Sequence, residues 1–379
     1  MERKVMKSIL FDVDGVFLSE ERCFDTSALT IETLLKSEHF LGLDKSFKLN
    51  ALSDETINDI RSKVFNDDII LNRLKSMGLN SNWDMLFVVF CIHFIHLMKE
   101  FTVQEIKDII TDNHFSVKSI QEIQSMINKN FRIDYELPMN FISQSQGGKD
   151  NIYAELQQYA REELNVNDAS FFKLKGPLWF VARDLYQELY LGSELFKQVE
   201  EKPSILEGIN GFIYHETVLR PVEEIKSLLS TLKERGYHLA IATGRPRTET
   251  LVPFESLGLK AFFSDNHIVT ASDVIEAENE YPDFIPLGKP NPFCYIATLY
   301  GNNKENYKQF ISQQDQIVNK EDVIIVGDSL ADLFCAKQIG ATFIGTLTGL
   351  KGQEARKELE HHEADYIVDH IGLIKNILL

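Results

Sequence analysis

Tryptophan occurs twice and cysteine four times among 379 residues. Cys23, Cys91, Cys294 and Cys335 are scattered. They show neither the paired spacing of a zinc site nor the density of a disulfide framework, so reduced thiols in a cytoplasmic setting are expected. Positive charge is also scarce: 39 Lys and Arg stand against 57 Asp and Glu, a formal net charge of −18. So acidic a chain repels nucleic acid and anionic membrane, and neither is expected as a partner. Long apolar runs are missing too. The most apolar stretch, 86–98, is too short to cross hydrocarbon and contains His93 and His96. It reads as a buried helix. The two histidines share one helical face, but no third ligand stands nearby, so a core or rim pair is preferred over a metal site. Residues 1–8 are charged and lead directly into an apolar segment, without the apolar stretch of a signal peptide, so export is not expected. No internal repeat stands out.

What is present suffices for ordinary globular domains. The chain is 44% hydrophobic and 25% charged, with length for two or three domains. One segment carries more information than the rest: Ile9-Leu10-Phe11-Asp12-Val13-Asp14-Gly15-Val16. An apolar run ends in two carboxylates two residues apart. On a strand, residues i and i+2 share a face, so Asp12 and Asp14 stand together at a strand's carboxyl end. Open α/β sheets place their ligands there. Two adjacent carboxylates repel unless a cation or a shared proton intervenes. A divalent metal site with a built-in nucleophile and acid/base is one reading. An Asp-Gly turn after a strand is the other, and eight residues alone do not separate them.

Three further segments favour the first reading. The run 238–243 is apolar and ends in Thr243, followed by Gly244 and Arg245. Lys289 precedes Pro290 after a loop. The β-branched run 323–326 leads into Gly327 and Asp328, with Asp332 about one helical turn later. Hydroxyl, ammonium and a carboxylate pair are the parts a phosphoryl-transfer site needs.

With these four segments the chain resembles the haloacid dehalogenase (HAD) superfamily. DxDGV at 12–16, the strand-terminal Thr243, Lys289 and GDxxxD at 327–332 match its motifs. The resemblance extends over 5–18 and 212–379. It implies a HAD-like α/β core with a doubly wound, mostly parallel sheet, in the branch of phosphatases and β-phosphoglucomutases. It implies that Asp12 is the nucleophile and becomes an aspartyl phosphate. Asp14 would protonate the leaving oxygen and later deprotonate water. Mg²⁺ would be held by the Asp12 and Asp328 side chains and the Asp14 backbone carbonyl, with Asp332 a further ligand or an orienting group behind them. Thr243 and the Gly244 N–H would bind phosphate, and Lys289 would balance the charge of Asp12 and the transferring group. Each residue also has an ordinary reading: Thr243 and Asp328 as helix caps, Lys289 as a solvated surface lysine.

Position 14 narrows the chemistry further. By the resemblance, members that cleave carbon–halogen or carbon–phosphorus bonds lack the second aspartate, so Asp14 points to a phosphate ester. Arg245 and Arg247 follow the threonine. An arginine fork there suits a second anionic substrate group, which makes Arg245 a candidate phosphate ligand. Solvated loop arginines are the preferred reading.

Residues 19–211 form an insert between the first and second motifs, where the family carries a cap. The insert reads as helical. Thr102 to Glu105 and Ser119 to Glu122 look like capping boxes ahead of apolar faces. Ile69, Ile70, Leu71 and Leu74 lie on a helix that ends near Gly78. The polar stretch 138–150 can separate two sublobes. The aromatic segment 171–179 is either a substrate-facing loop using Lys175 or a loop packed on neighbouring helices. The polar stretch 301–322 reads as a surface excursion in its middle. Core strands are expected near 8–13, 238–243, 267–271, 323–327, 342–346 and 366–369.

The function this implies is Mg²⁺-dependent hydrolysis of a small phosphorylated metabolite. A phosphomutase, or a weakly active ligand-binding protein on the same fold, are the alternatives. Oligomeric state is not legible.

Overall fold

The computed structural model describes residues 7–79, 81–312 and 318–379. The chain divides into two compact units: Met1–Arg22 with Ile213–Leu379, and Cys23–Phe212.

The first unit is built on six strands: β1 (Ser8–Phe11), β2 (His238–Ala242), β3 (Ile268–Val269), β4 (Val323–Gly327), β5 (Thr342–Thr346) and β6 (Tyr366–Val368). All pairings are parallel, in the order β3-β2-β1-β4-β5-β6. The apolar strand runs follow from burial on both faces. Leu10 joins one core with Ala240, Ile325, Phe343 and the helix Phe293–Tyr300. Its neighbours Ile9 and Phe11 join the other with Ile241, Val326 and the helix Val222–Glu234. That helix starts after Pro221, buries Ile225, Leu228, Leu229 and Leu232, and stops at Gly236 with φ +86°. A proline entry and a left-handed glycine exit are its local signals.

β1 lies between β2 and β4, so the chain leaves it to one side and returns to the other. This is the switch point of a doubly wound sheet. Phe11 pairs with both Ile241 and Val326. The residues just past these three ends, Asp12, Thr243 and Asp328, therefore emerge side by side.

The second unit is helical among the described residues, from Glu21–Lys36 to Ser193–Glu200. Thr102 caps Val103–Ile110 through a capping box with Glu105. The helix Asn82–Met98 is buried along nearly its whole length. No helix of the described residues is long and apolar enough to cross a membrane. His93 is buried within that helix, and burial pushes its pKa down to about 4. Phe171 stacks edge-on against Phe115, and Trp179 donates to Asp84, so the segment 171–179 packs on neighbouring helices.

Two local expectations are corrected. Ser119 does not start its helix. Val117–Gln124 is capped by Ser116, whose N–H bonds the Ser119 hydroxyl, so the helix begins earlier and ends before Met126, which is exposed. Nor is the described part of the middle of 301–322 a surface excursion. Tyr307–Ser312 is helical and sends Tyr307, Phe310 and Ile311 into the core; residues 313–317 lie outside the described residues.

The helical unit also contains a fully buried carboxylate, Glu188, which accepts from the N–H groups of Ile205 and Leu206, both at 2.8 Å, and from Ser204. It closes the segment after Ser193–Glu200 onto the helix Pro177–Leu191. Glu188→Ala leaves those donors without an acceptor and is expected to cost about 3 kcal/mol in urea unfolding, with Glu188→Gln costing less. No change in either variant would contradict this account.

Candidate active site

Asp12 continues β1, and its N–H bonds the Val326 carbonyl at 2.9 Å. Its Oδ1 accepts from the Val13 N–H at 2.8 Å and pairs with Lys289 Nζ at 3.0 Å. Its other oxygen has no protein partner among the described residues. Lys289 Nζ also lies 2.8 Å from Asp332 Oδ1. Asp332 is completely buried and fully engaged: Oδ1 also accepts from the Tyr295 hydroxyl, and Oδ2 from the Ser329 hydroxyl. Asp332 thus holds the lysine in place from behind. Lys289 is buried among acids and is not a solvated lysine.

Asp328 accepts no protein hydrogen bond among the described residues. It is wedged between Gly15 and Gly349, where a Cβ at either would overlap its carboxylate. Gly15 also sits at φ +70°, which favours glycine. The Gly15 carbonyl accepts from Thr346 and Thr348, which fixes this turn beneath the acids. Asp328 is not a helix cap; Ser329 caps Leu330–Ile339 by accepting from the Asp332 N–H. Thr243 is buried and is not a cap either, since Pro246 precedes Arg247–Ser256. The Thr243 hydroxyl oxygen accepts the Arg245 N–H at 3.1 Å, which leaves its proton free to donate elsewhere.

One oxygen each from Asp12, Asp328 and Asp332 lies within 4.8 Å of the others, the one such acidic, His or Cys cluster among the described residues. Crowding shows in the protonation energetics. Burial pushes Asp12 up to about 7 against the pull of Lys289. Burial, reinforced by Asp332 and Asp12, drives Asp328 well above the usual carboxylate range. Burial also opposes charging Lys289, but Asp12 and Asp332 outweigh it and hold the ammonium well above its ordinary value. For Asp332 burial is likewise overcome, here by Lys289, Ser329 and Tyr295, and its pKa falls. An all-oxygen donor set with one acid that lacks a protein partner among the described residues fits a hard divalent cation such as Mg²⁺.

Arg245 corrects an expectation. It is not solvated: its side chain is 5% exposed. Nε and Nη2 reach Asp14 Oδ1 at 2.8 and 2.7 Å, and Nη1 reaches Glu216 Oε1 at 2.7 Å. Its fork is therefore engaged by carboxylates, where a substrate anion was the alternative. Arg247 stays part-exposed, bonding the Ile268 carbonyl. A Cβ at Gly244 would meet nothing, so space does not demand glycine there.

Sequence reasoning missed Tyr295, Ser329 and Glu216. Ser329 was findable, because Ser-x-x-Asp at 329–332 is a capping pattern. Tyr295 and Glu216 have no local signal, since their partners are distant in the chain.

Acids and an ammonium at the switch point of a doubly wound parallel sheet define a Rossmann-like protein with a cation-ready centre. A family model described as haloacid dehalogenase-like hydrolase matches residues 190–346. That range includes Thr243, Lys289, Asp328 and Asp332, but not Asp12. The pyrophosphatase PpaX of Bacillus pumilus is 25% identical over 154 residues, covering 41% of this chain and 57% of the relative. A phosphoglycolate phosphatase of Vibrio cholerae is 25% identical over 202 residues, covering 52% of this chain and 75% of the relative. A crystal structure from the Northeast Structural Genomics Consortium is 54% identical, covers 98% of both chains and superposes with a TM-score of 0.94. Over residues 190–346 the chain is therefore similar to the haloacid dehalogenase-like hydrolases.

The pKa shifts fix the sign of a pH effect. Folded Asp12 titrates near 7, above the roughly 3.9 of an unfolded aspartate. Between those values the folded state holds a proton that the unfolded state has released. Its contribution to stability is complete below the unfolded value and is lost as pH rises through the folded one. Asp328 acts in the same direction. In EDTA, the Tm of wild type relative to Asp12→Asn is expected to fall across this window. Added Mg²⁺ is expected to raise the wild-type Tm more at neutral pH than in mild acid. A constant Tm difference overturns the crowded-acid account.

Proposed function

We propose that this protein is a Mg²⁺-dependent phosphohydrolase that cleaves a small-molecule phosphate monoester through an aspartyl phosphate on Asp12. The observation that carries the reading is the Asp12 carboxylate, with one oxygen paired to Lys289 at 3.0 Å and the other without a protein partner among the described residues. The open oxygen is the nucleophile. Lys289 lowers the repulsion between that carboxylate and an approaching phosphoryl group. The Thr243 hydroxyl and the Gly244 N–H bind a non-bridging oxygen. Asp14 gives a proton to the leaving oxygen and then takes one from the water that opens the acyl phosphate. Bound Mg²⁺, held by Asp12, Asp328 and the Asp14 backbone carbonyl, would neutralise charge at the acids and the phosphate. Asp332 orients Lys289.

We assign the helical unit the role of a cap that selects the substrate. The phosphatase names of the curated relatives support a phosphorylated small molecule as substrate. The protein spans only 57% of the Bacillus pumilus relative, so the particular ester is not taken from it. The four cysteines are buried thiols, in keeping with a cytoplasmic setting.

The test is release of phosphate from p-nitrophenyl phosphate and a panel of metabolite esters. Activity is expected to need Mg²⁺, and Asp12→Asn to lower kcat by about 10³-fold or more. Turnover that survives EDTA or Asp12→Asn refutes the reading. Isomerised ester from a hexose 1-phosphate, without free phosphate, would replace the hydrolase by a mutase.

A further inference from the structure

We propose that Arg245, backed by Glu216, is a positioning residue that sets the carboxyl orientation of Asp14. The assignment rests on the phosphohydrolase reading and deepens it. Both Nε and Nη2 of Arg245 converge on one oxygen of Asp14, Oδ1. The other, Oδ2, has no protein partner among the described residues, and the side chain is 28% exposed. One oxygen is clamped and one is open. A clamped carboxyl cannot rotate, so the open oxygen keeps a single direction.

Arg245 is itself held at both ends. Its N–H bonds the Thr243 hydroxyl, and its carbonyl accepts the Ala271 N–H at 2.9 Å. Its Nη1 is braced by Glu216, whose side chain is 2% exposed. Glu216 does not ride on a loose loop. The Ser19 N–H bonds the Thr217 carbonyl at 2.9 Å, and the Leu219 N–H bonds the Phe17 carbonyl at 3.0 Å. Arg22 Nε reaches the His215 carbonyl at 3.1 Å. The segment bearing Glu216 is thus fastened to the segment that follows Asp14. A buried guanidinium placed between two carboxylates is set by geometry rather than by solvent, and little slack remains.

In the step this serves, the Asp12 oxygen forms a bond to phosphorus as the bond from phosphorus to the leaving oxygen breaks. The proton on Asp14 Oδ2 passes to that leaving oxygen, and the O–H electron pair stays on Asp14. Arg245 exchanges no proton. Its contribution acts through Asp14, so it matters most where the leaving oxygen is poor and needs the proton.

The test compares kcat/KM for p-nitrophenyl phosphate, a good leaving group, with an alkyl phosphate, a poor one. Arg245→Met, Arg245→Lys and Glu216→Gln are made alone and in the Asp14→Asn background. Arg245→Met is expected to lose about 10²-fold on the alkyl ester, mainly in kcat, and far less on the aryl ester. Arg245→Lys should recover part of this, and Glu216→Gln should show a smaller loss with the same ester selectivity. In the Asp14→Asn background a second substitution should cost no more than about twofold. Losses that are equal on both esters, that appear as a KM rise alone, or that persist in full in the Asp14→Asn background overturn the assignment while leaving the hydrolase reading intact. A wild-type protein that turns over neither ester removes both. If Arg245→Met does not fold, Glu216→Gln decides the question by the same comparison.

Discussion

The ion pair between Lys289 and the two aspartates on either side of it is the contact on which the rest of the site depends. At an effective dielectric of about 20, unit charges about 3 Å apart attract by about 5 kcal/mol. Without that attraction, Asp12 and Asp332 would be two buried acids in mutual repulsion, and one would stay protonated. Lys289 offsets only part of the charge. Three carboxylates and one ammonium leave two negative charges when all are ionised, the complement of a divalent cation. Asp328, with no protein partner among the described residues, is the acid that shows the deficit most plainly.

Such crowding is tolerated because the scaffold around it is stiff. β1 is hydrogen-bonded on both sides and buried on both faces. The acids stand at the strand ends, where the backbone leaves the ladder and a side chain need not fit a core. Gly15 and Gly349 give Asp328 room, and the threonine hydroxyls of Thr346 and Thr348 tie the Gly15 turn to the end of β5. Repulsion is stored in the site while cooperative packing elsewhere supplies the stability.

Buried charge recurs in this molecule in two forms. Around Asp12 it is imbalanced, which suits a centre that takes up a cation and a phosphate. At Glu188 it is satisfied by backbone N–H groups, which suits a structural joint. Arg245 stands between these forms. It is paired with two carboxylates, yet one of them, Asp14, keeps an open oxygen at the site.

Much of the core was legible in the chain. The six strands announce themselves as short apolar runs, because a parallel sheet buried on both sides admits little else. Asp12, Thr243, Lys289 and Asp328 were legible because each follows a strand or a loop where a polar residue interrupts an apolar run. Helix ends were read less well: Ser119 imitates a cap, but Ser116 three residues earlier makes the better one. The buried face of Tyr307–Ser312 was hidden because so short a helix shows no period.

The positions of the strands along the chain, the type of the elements and the chemical identity of the central groups follow from local pattern, since periodicity and strand-end chemistry are properties of neighbours in the chain. The partners of those groups do not. Arg245 looked like an ordinary loop arginine, and only folding brings Asp14 from far upstream and Glu216 from the segment after the insert onto its three nitrogens. Tyr295 meets Asp332 in the same way. Hydrogen bonds and ion pairs between distant segments are set by where the sheet delivers its ends, and no spacing along the chain encodes that meeting.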